Sequence, residues 1–348
     1  MNIDALLAEC DCAIVTSPAS LYYLSGFDQS DAVIVLNKNE CVYVTNPLYE
    51  VAVKGAVRKE FNVKILSRAD QYEYLRSCIQ KATRVGVEYE HLTLSAHRVL
   101  FGVAKKETVD LSPLLAKMRL LKRPEELEII KYAEGIVDTV FSEVVSLLKV
   151  GVTEREIRDQ IDLRMSRYGA SGPAFDTIVA FGENAAMPHA IPSDRRLKVG
   201  DCVLMDFGAK YKGYCSDFTR TVCFGEPGEK FRRAYATVLR AQKSAIEYLQ
   251  QGGRSAAEAD SAARKIIDDS EFKGCFNHTL GHGVGIEIHE LPSLSQRSQF
   301  LLSDGMVFTL EPGIYVEGEF GIRIESLVAL ENGKLTVIDR TDKEIYIV

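Results

Sequence analysis

No run of apolar residues in this chain approaches the ~18 that a membrane-spanning helix needs, so no span is expected. The opening residues, Met1 to Cys10, lack the basic start of a signal peptide, and a cytoplasmic protein is the expectation. The eight cysteines are scattered, without a C-x-x-C pair or a framework spacing, so they read as reduced thiols, several of them core residues. Positive charge is in deficit: 42 Lys and Arg against 49 Asp and Glu give a formal net charge of −7. That balance argues against nucleic acid or an anionic membrane as the partner. The rest of the composition, 46% hydrophobic and 26% charged, is ordinary for a globular protein, and 348 residues suffice for two domains with separate cores.

What the chain does have is acid in pairs. Between Val203 and Val222 two apolar, β-prone runs flank Lys210 to Gly213, where Gly213 supplies turn chemistry. Folded as a hairpin, this stretch puts Asp206 and Asp217 roughly opposite one another. Opposed side chains have Cβ atoms ~5 Å apart, and like charges there destabilise the sheet. The pair is either solvated on an edge hairpin or needs a counter-charge, and a second copy favours the counter-charge. Met306 to Val328 is again two apolar runs around a turn, with Gly318 midway between Glu311 and Glu325. Four converging carboxylates call for about four positive charges, which two divalent cations supply at a separation of ~3.5–4 Å.

Residues 1 to about 115 alternate strand-like and helix-like segments, an α/β layered domain with a mixed sheet. Strands are expected at 13–16, 32–36, 41–45, 63–66 and 85–87, with helices over 70–83 and 94–104. His91 and His97 lie there without an acidic partner pattern and read as surface or packing residues. Residues 110 to 124 form a link, and residues 116–348 form the second domain. In it Pro124 starts a long amphipathic helix, Thr153 to Glu156 is a capping box, and 177–181 is a strand. After the Asp206/Asp217 hairpin the order repeats: a long helix from Glu229, a capping box at Ser255 to Glu258, a Gly-rich segment, and the Glu311/Glu325 hairpin. Residues ~124–225 and ~228–330 therefore read as two halves of a duplicated α/β unit. Neither half holds four carboxylates, so the site is expected in the cleft between them.

Four of the six histidines, His189, His278, His282 and His289, fall in loops and Gly-rich stretches of the second domain. His282 lies between two glycines, where backbone can approach closely. Imidazole with carboxylates suits Zn, Mn, Co or Fe rather than Mg or Ca. The run Gly281 to Gly285 lacks the context of a nucleotide loop.

The motifs Met205-Asp-Phe-Gly208, Ser216-Asp-Phe-Thr-Arg220, Gly281-His-Gly-Val-Gly285, Leu310-Glu-Pro-Gly-Ile-Tyr315 and Gly321-Ile-Arg-Ile-Glu325 resemble the metal-ligand motifs of the pita-bread metallopeptidases. That family includes Xaa-Pro aminopeptidase, prolidase and methionine aminopeptidase. The first domain, residues 1–115, resembles the amino-terminal domain of the proline-specific members and of creatinase. The resemblance implies a duplicated pita-bread α+β catalytic domain over 116–348. It implies five metal ligands, Asp206, Asp217, His282, Glu311 and Glu325, holding two divalent ions, manganese foremost, with Co, Fe or Zn as alternatives. It casts Glu311 as proton shuttle, His189 and His289 as catalytic groups at the substrate carbonyl, and His278 and Arg323 as substrate-binding residues on the proline side. The expected activity is hydrolysis of the bond before proline in a Xaa-Pro dipeptide, with an aminopeptidase acting on longer peptides as the alternative. A homodimer is expected. A silent interaction protein or a creatinase-like hydrolase on the same fold is the remaining reading, and the intact ligand set argues against both.

Overall fold

A computed structural model describes residues 3–27, 29, 31–102 and 106–348. It separates into two units, Met1–Arg119 and Leu120–Val348.

The first unit is built on one six-stranded sheet in the order Asn62–Ile65, Cys41–Thr45, Val33–Asn37, Cys12–Val15, Arg84–Val87, Glu107–Asp110. Val33–Asn37 is antiparallel to both its neighbours and the other pairings are parallel. The period-2 alternation of strands divides the side chains between two cores. Ala13, Val15, Ile34, Leu36 and Tyr43 enter one, and Cys12, Ile14, Val35, Val42 and Val44 the other. The sheet is therefore buried on both faces, as an α/β layered unit requires. The sixth strand is one the sequence pattern does not announce, because Glu107-Thr-Val-Asp110 is an edge strand with acids at both ends. The helix predicted over 70–83 runs Arg68–Lys81, started by the Ser67 hydroxyl, which accepts from the Asp70 amide. The helix predicted over 94–104 runs Leu94–Phe101, and Ala104 lies outside the described residues. Within the expected link lies a helix, Ser112–Leu120.

In the second unit the predicted repeat is visible in detail. Helices Pro124–Val145 and Glu154–Arg167 precede strands Ile178–Phe181, Cys202–Phe207 and Phe218–Cys223. Helices Glu229–Gln250 and Ala256–Asp268 precede strands Gly281–Gly283, Glu290–Leu294, Val307–Leu310 and Ser326–Glu331. Each helix N-cap forms an isolated bridge to the segment before its hairpin, Thr153 with Arg196 and Ser255 with Leu301. The amides of Leu197 and Leu302 donate to Val152 and Arg254 in equivalent bonds of 2.8 and 2.7 Å. The capping box at Thr153 is complete, whereas at Ser255 one arm is rerouted. The Ser255 amide donates to the Tyr248 hydroxyl, which in turn donates to Glu258.

The strand Cys202–Phe207 shows how the halves join. Val203, Met205 and Phe207 pack with the first pair of helices, and Cys202 and Leu204 enter the larger core around Glu229–Gln250. Among the described residues, no helix is long and apolar enough to cross a membrane.

Candidate metal centre

Both carboxylate hairpins form, with one change of register. Gly313↔Arg323 and Leu310↔Ser326 bracket Glu311 and Glu325 as opposite positions, turning at Gly318 with φ 72°. In the first hairpin Asp206 faces Thr219, and Asp217 lies two residues away on the diagonal. The cause is a tight turn at Lys212 and Gly213, both with positive φ, between the paired residues Tyr211 and Tyr214.

Asp217, Glu311 and Glu325 lie just beyond the ends of strands, whereas Asp206 is the penultimate residue of its strand and is paired on both sides. Oxygen atoms of Asp206, Asp217 and Glu325 lie within 4.8 Å of one another. His282 Nε2 is 3.4 Å from Asp217 Oδ2 and 3.3 Å from Glu311 Oε1. Its Nδ1, 3.1 Å from the Gly283 carbonyl, carries the proton that this contact requires and leaves Nε2 for the acids. The flanking glycines are steric necessities. A Cβ on Gly281 would sit 2.0 Å from the Thr309 carbonyl oxygen, and one on Gly283 2.0 Å from that of Leu291.

A layer of hydroxyls and cations supports these groups. The Thr219 hydroxyl donates to Glu325 at 2.7 Å and accepts from Arg323 Nε at 3.2 Å. The Thr309 hydroxyl donates to Glu311 and accepts from the His282 amide, each at 3.1 Å. Arg323 also donates to Asp206 through Nη2 and to the Tyr315 hydroxyl through Nη1 at 2.6 Å. Tyr315 and His278 Nε2 are 2.9 Å apart, while His278 Nδ1 contacts the Thr279 carbonyl at 2.8 Å. From a helix of the first half, buried Glu134 accepts from the Asp217 amide at 3.3 Å.

Burial, followed by the neighbouring carboxylates, pushes Asp217 and Glu325 well above the usual range. Burial also raises Asp206, against the pull of Arg323. Glu311 differs: burial would lift it, but His282, His278 and Arg323 outweigh that and hold it at about 2. The buried Asp206 Oδ1 and Glu325 Oε1 have no hydrogen-bond partner. Orphaned acceptors on repelling carboxylates, beside a correctly oriented imidazole, are the donor set a divalent cation fits. These residues would hold it.

The centre floors a cleft of about 760 Å³ whose walls include His189, His278, His289 and Arg323 as well as Asp206, Asp217, His282 and Glu311. Glu325 lies behind the lining. His289 meets His282 edge to face with ring centroids 4.4 Å apart. His278 and Arg323 reach the wall with their polar atoms already engaged: both ring nitrogens of His278, and Arg323 by Asp206, Thr219 and Tyr315. Thr219 and Tyr315 stand inside the Ser216-Asp-Phe-Thr-Arg220 and Leu310-Glu-Pro-Gly-Ile-Tyr315 motifs, but neither motif reveals that Thr219 supports Glu325 or that Tyr315 links Arg323 to His278. Glu134 carries no sequence signal at all.

Two half-repeats closing on a carboxylate and imidazole centre define a hydrolase of the metallopeptidase class. Residues 128–332 match the model of metallopeptidase family M24, and residues 7–121 match the creatinase/prolidase N-terminal domain. The chain belongs to metallopeptidase family M24. It is 36% identical over 340 residues to the Xaa-Pro dipeptidase of Pyrococcus furiosus, covering 96% of this chain and 95% of that protein. Its structure is similar to that of a Xaa-Pro dipeptidase from Bacillus anthracis, with TM-score 0.92, 32% identity and 99% of each chain covered. It is similar also to an X-Pro aminopeptidase from Thermotoga maritima, with TM-score 0.91, 34% identity and the same coverage. The two-domain α/β plan, the duplicated catalytic fold and the assignment as a metal-dependent peptidase follow.

Proposed function

We propose that the protein is a Xaa-Pro dipeptidase using two divalent ions, manganese foremost, held by Asp206, Asp217, His282, Glu311 and Glu325. The observation that carries this reading is the convergence of four carboxylates and one imidazole, two of the carboxylates with orphaned oxygens, at the floor of a cleft. Divalent ions there supply Lewis acidity and make water nucleophilic near neutral pH. The chain's own groups do the rest. Glu311, ionised by its cationic neighbours, takes the proton of the attacking water and delivers it to the proline nitrogen. That nitrogen has no hydrogen of its own, so it must be protonated as it leaves. His189 and His289, on the cleft wall, bind the substrate carbonyl and stabilise charge developing on its oxygen. Arg323 and His278 form the proline side, with Arg323 holding Asp206 through one edge of its guanidinium. Residues 1–115 serve as the amino-terminal domain and 116–348 as the catalytic domain of a cytoplasmic homodimer.

A second reading, an aminopeptidase acting on longer peptides, is favoured by one observation. The donors of Arg323 are occupied by Asp206, Thr219 and Tyr315, which weakens its claim on a free substrate carboxylate. The deciding experiment compares kcat/KM for a Xaa-Pro dipeptide, its carboxamide and a tripeptide extended after proline. A dipeptidase loses at least ~2 kcal/mol, roughly thirty-fold, on the last two. Equal cleavage of the tripeptide makes the enzyme an aminopeptidase. Absence of bound metal and of both activities makes it a silent relative.

A further inference from the structure

Just ahead of its first long helix, the catalytic unit contains a buried ion pair outside the metal centre. Lys122 Nζ and Glu290 Oε2 are 3.1 Å apart, with side chains only 2% and 4% exposed. Taking two charges out of water is so costly that well-packed apolar residues often serve stability equally well or better. A buried pair therefore asks for a geometric reason, and its surroundings offer one. Glu290 directly follows His289 and pairs with Gly283, next to His282. Its other oxygen accepts from the Glu287 amide at 3.2 Å, and the Gly285 amide donates to the Glu287 carbonyl at 3.1 Å, so residues 285–290 fold around the carboxylate. Lys122 is itself fixed, its amide donating to the Gly305 carbonyl at 2.7 Å. The pair lies directly over Gly285, where a Cβ would come 2.3 Å from Glu290 Oε2 and 3.0 Å from the Lys122 Cε. On the other side, the Cys215 amide donates to the Gly285 carbonyl at 2.7 Å, two residues from Asp217.

We propose that Lys122 is a positioning residue: by anchoring Glu290 in the interior it fixes the loop of residues 285–289 and holds His289 over His282, facing the cleft. The proposal rests on the reading of His289 as a group that acts on the substrate. It is tested in the full-length, metal-loaded enzyme by a cycle of Lys122→Met and His289→Ala, measuring kcat/KM on a Xaa-Pro dipeptide and bound metal. Misplacing a group by about an ångström costs roughly a hundred-fold. Lys122→Met should lose on that order in the parent enzyme with metal content unchanged. In the His289→Ala background it should lose no more than about two-fold, the margin for independent sites. An equal loss in both backgrounds overturns the proposal. If Lys122→Met does not fold, Gly285→Ala takes its place, since it keeps both charges while its Cβ presses on the Glu290 carboxylate and on the Lys122 Cε. His289→Ala without effect on kcat/KM would refute the role of His289 instead. The crystal structure of Gly285→Ala then decides the positioning claim: a His289 ring still 4.4 Å from His282 sinks it, and a displaced ring upholds it.

Discussion

Glu325→Gln should weaken the metal centre and yet stabilise the protein stripped of metal. Glu325 is 1% exposed, and only one of its oxygens has a partner, the Thr219 hydroxyl. Its ligand oxygen lies within 4.8 Å of those of Asp206 and Asp217. Two like charges at that distance repel by about 3 kcal/mol at an effective dielectric constant of ~20. Burial first, and this repulsion second, push Asp217 and Glu325 well above their ordinary values of 3.8 and 4.5, so without metal the cluster takes up protons. A carboxyl raised in the fold contributes stability that is complete below its unfolded value and is lost as pH rises through its folded value. Glutamine copies the protonated form at every pH. Its advantage over glutamate in chelator-treated protein should thus be absent below pH 4.5 and grow through neutrality to about 1–3 kcal/mol, or several degrees in Tm. With metal restored the sign reverses, because the ions need the charge, and affinity should fall at least about a hundred-fold. Calorimetry across pH with and without chelator, beside metal analysis after dialysis, reads both arms. A variant that holds two ions as tightly as the parent, or whose metal-free form is the less stable at neutral pH, refutes the charge argument.

Tyr315→Phe should keep its metals but lose about ten-fold in kcat, because the hydroxyl joining His278 to Arg323 disappears at a cost of about 1–1.5 kcal/mol; metal analysis and steady-state kinetics check both. Arg220→Met should lower Tm by about 10 °C, since Arg220, 1% exposed, donates to the Glu325, Thr219, Thr341 and Asp342 carbonyls and to Asp339. Breaking a buried pair costs about 3–5 kcal/mol, and an unchanged melt by calorimetry would contradict it. Gly281→Ala should cost about 1–3 kcal/mol and weaken metal binding as well, because its Cβ can be accommodated only by moving the His282 strand off Thr309. Titration calorimetry showing parent affinity would contradict that coupling.

The sequence made the two acid hairpins legible because each rests on a pattern that local physics enforces, apolar runs broken by a turn glycine. It located Glu311 and Glu325 opposite one another correctly, since Gly318 is the true centre of that hairpin. It misplaced Asp217 because the first hairpin turns on Lys212 as well as Gly213, and a lysine with φ 44° announces nothing in sequence. The slip has a physical consequence. A diagonal pair starts farther apart than a directly opposed one, so Asp206 and Asp217 converge only through their side chains near the strand ends. What stayed hidden has a common character. Thr219 ties Glu325 to Arg323, Thr309 ties Glu311 to the His282 amide, Tyr315 ties Arg323 to His278, and Glu134 reaches Asp217 from a helix 83 residues away in sequence. A hydroxyl acquires such a role only from register and packing, so spacing along the chain cannot reveal it. The candidate ligands are legible for the opposite reason: four acids in apolar runs, with an imidazole between glycines, contradict every local preference. Local rules broken together in this way mark a functional site, and a divalent cation is the group that would resolve them.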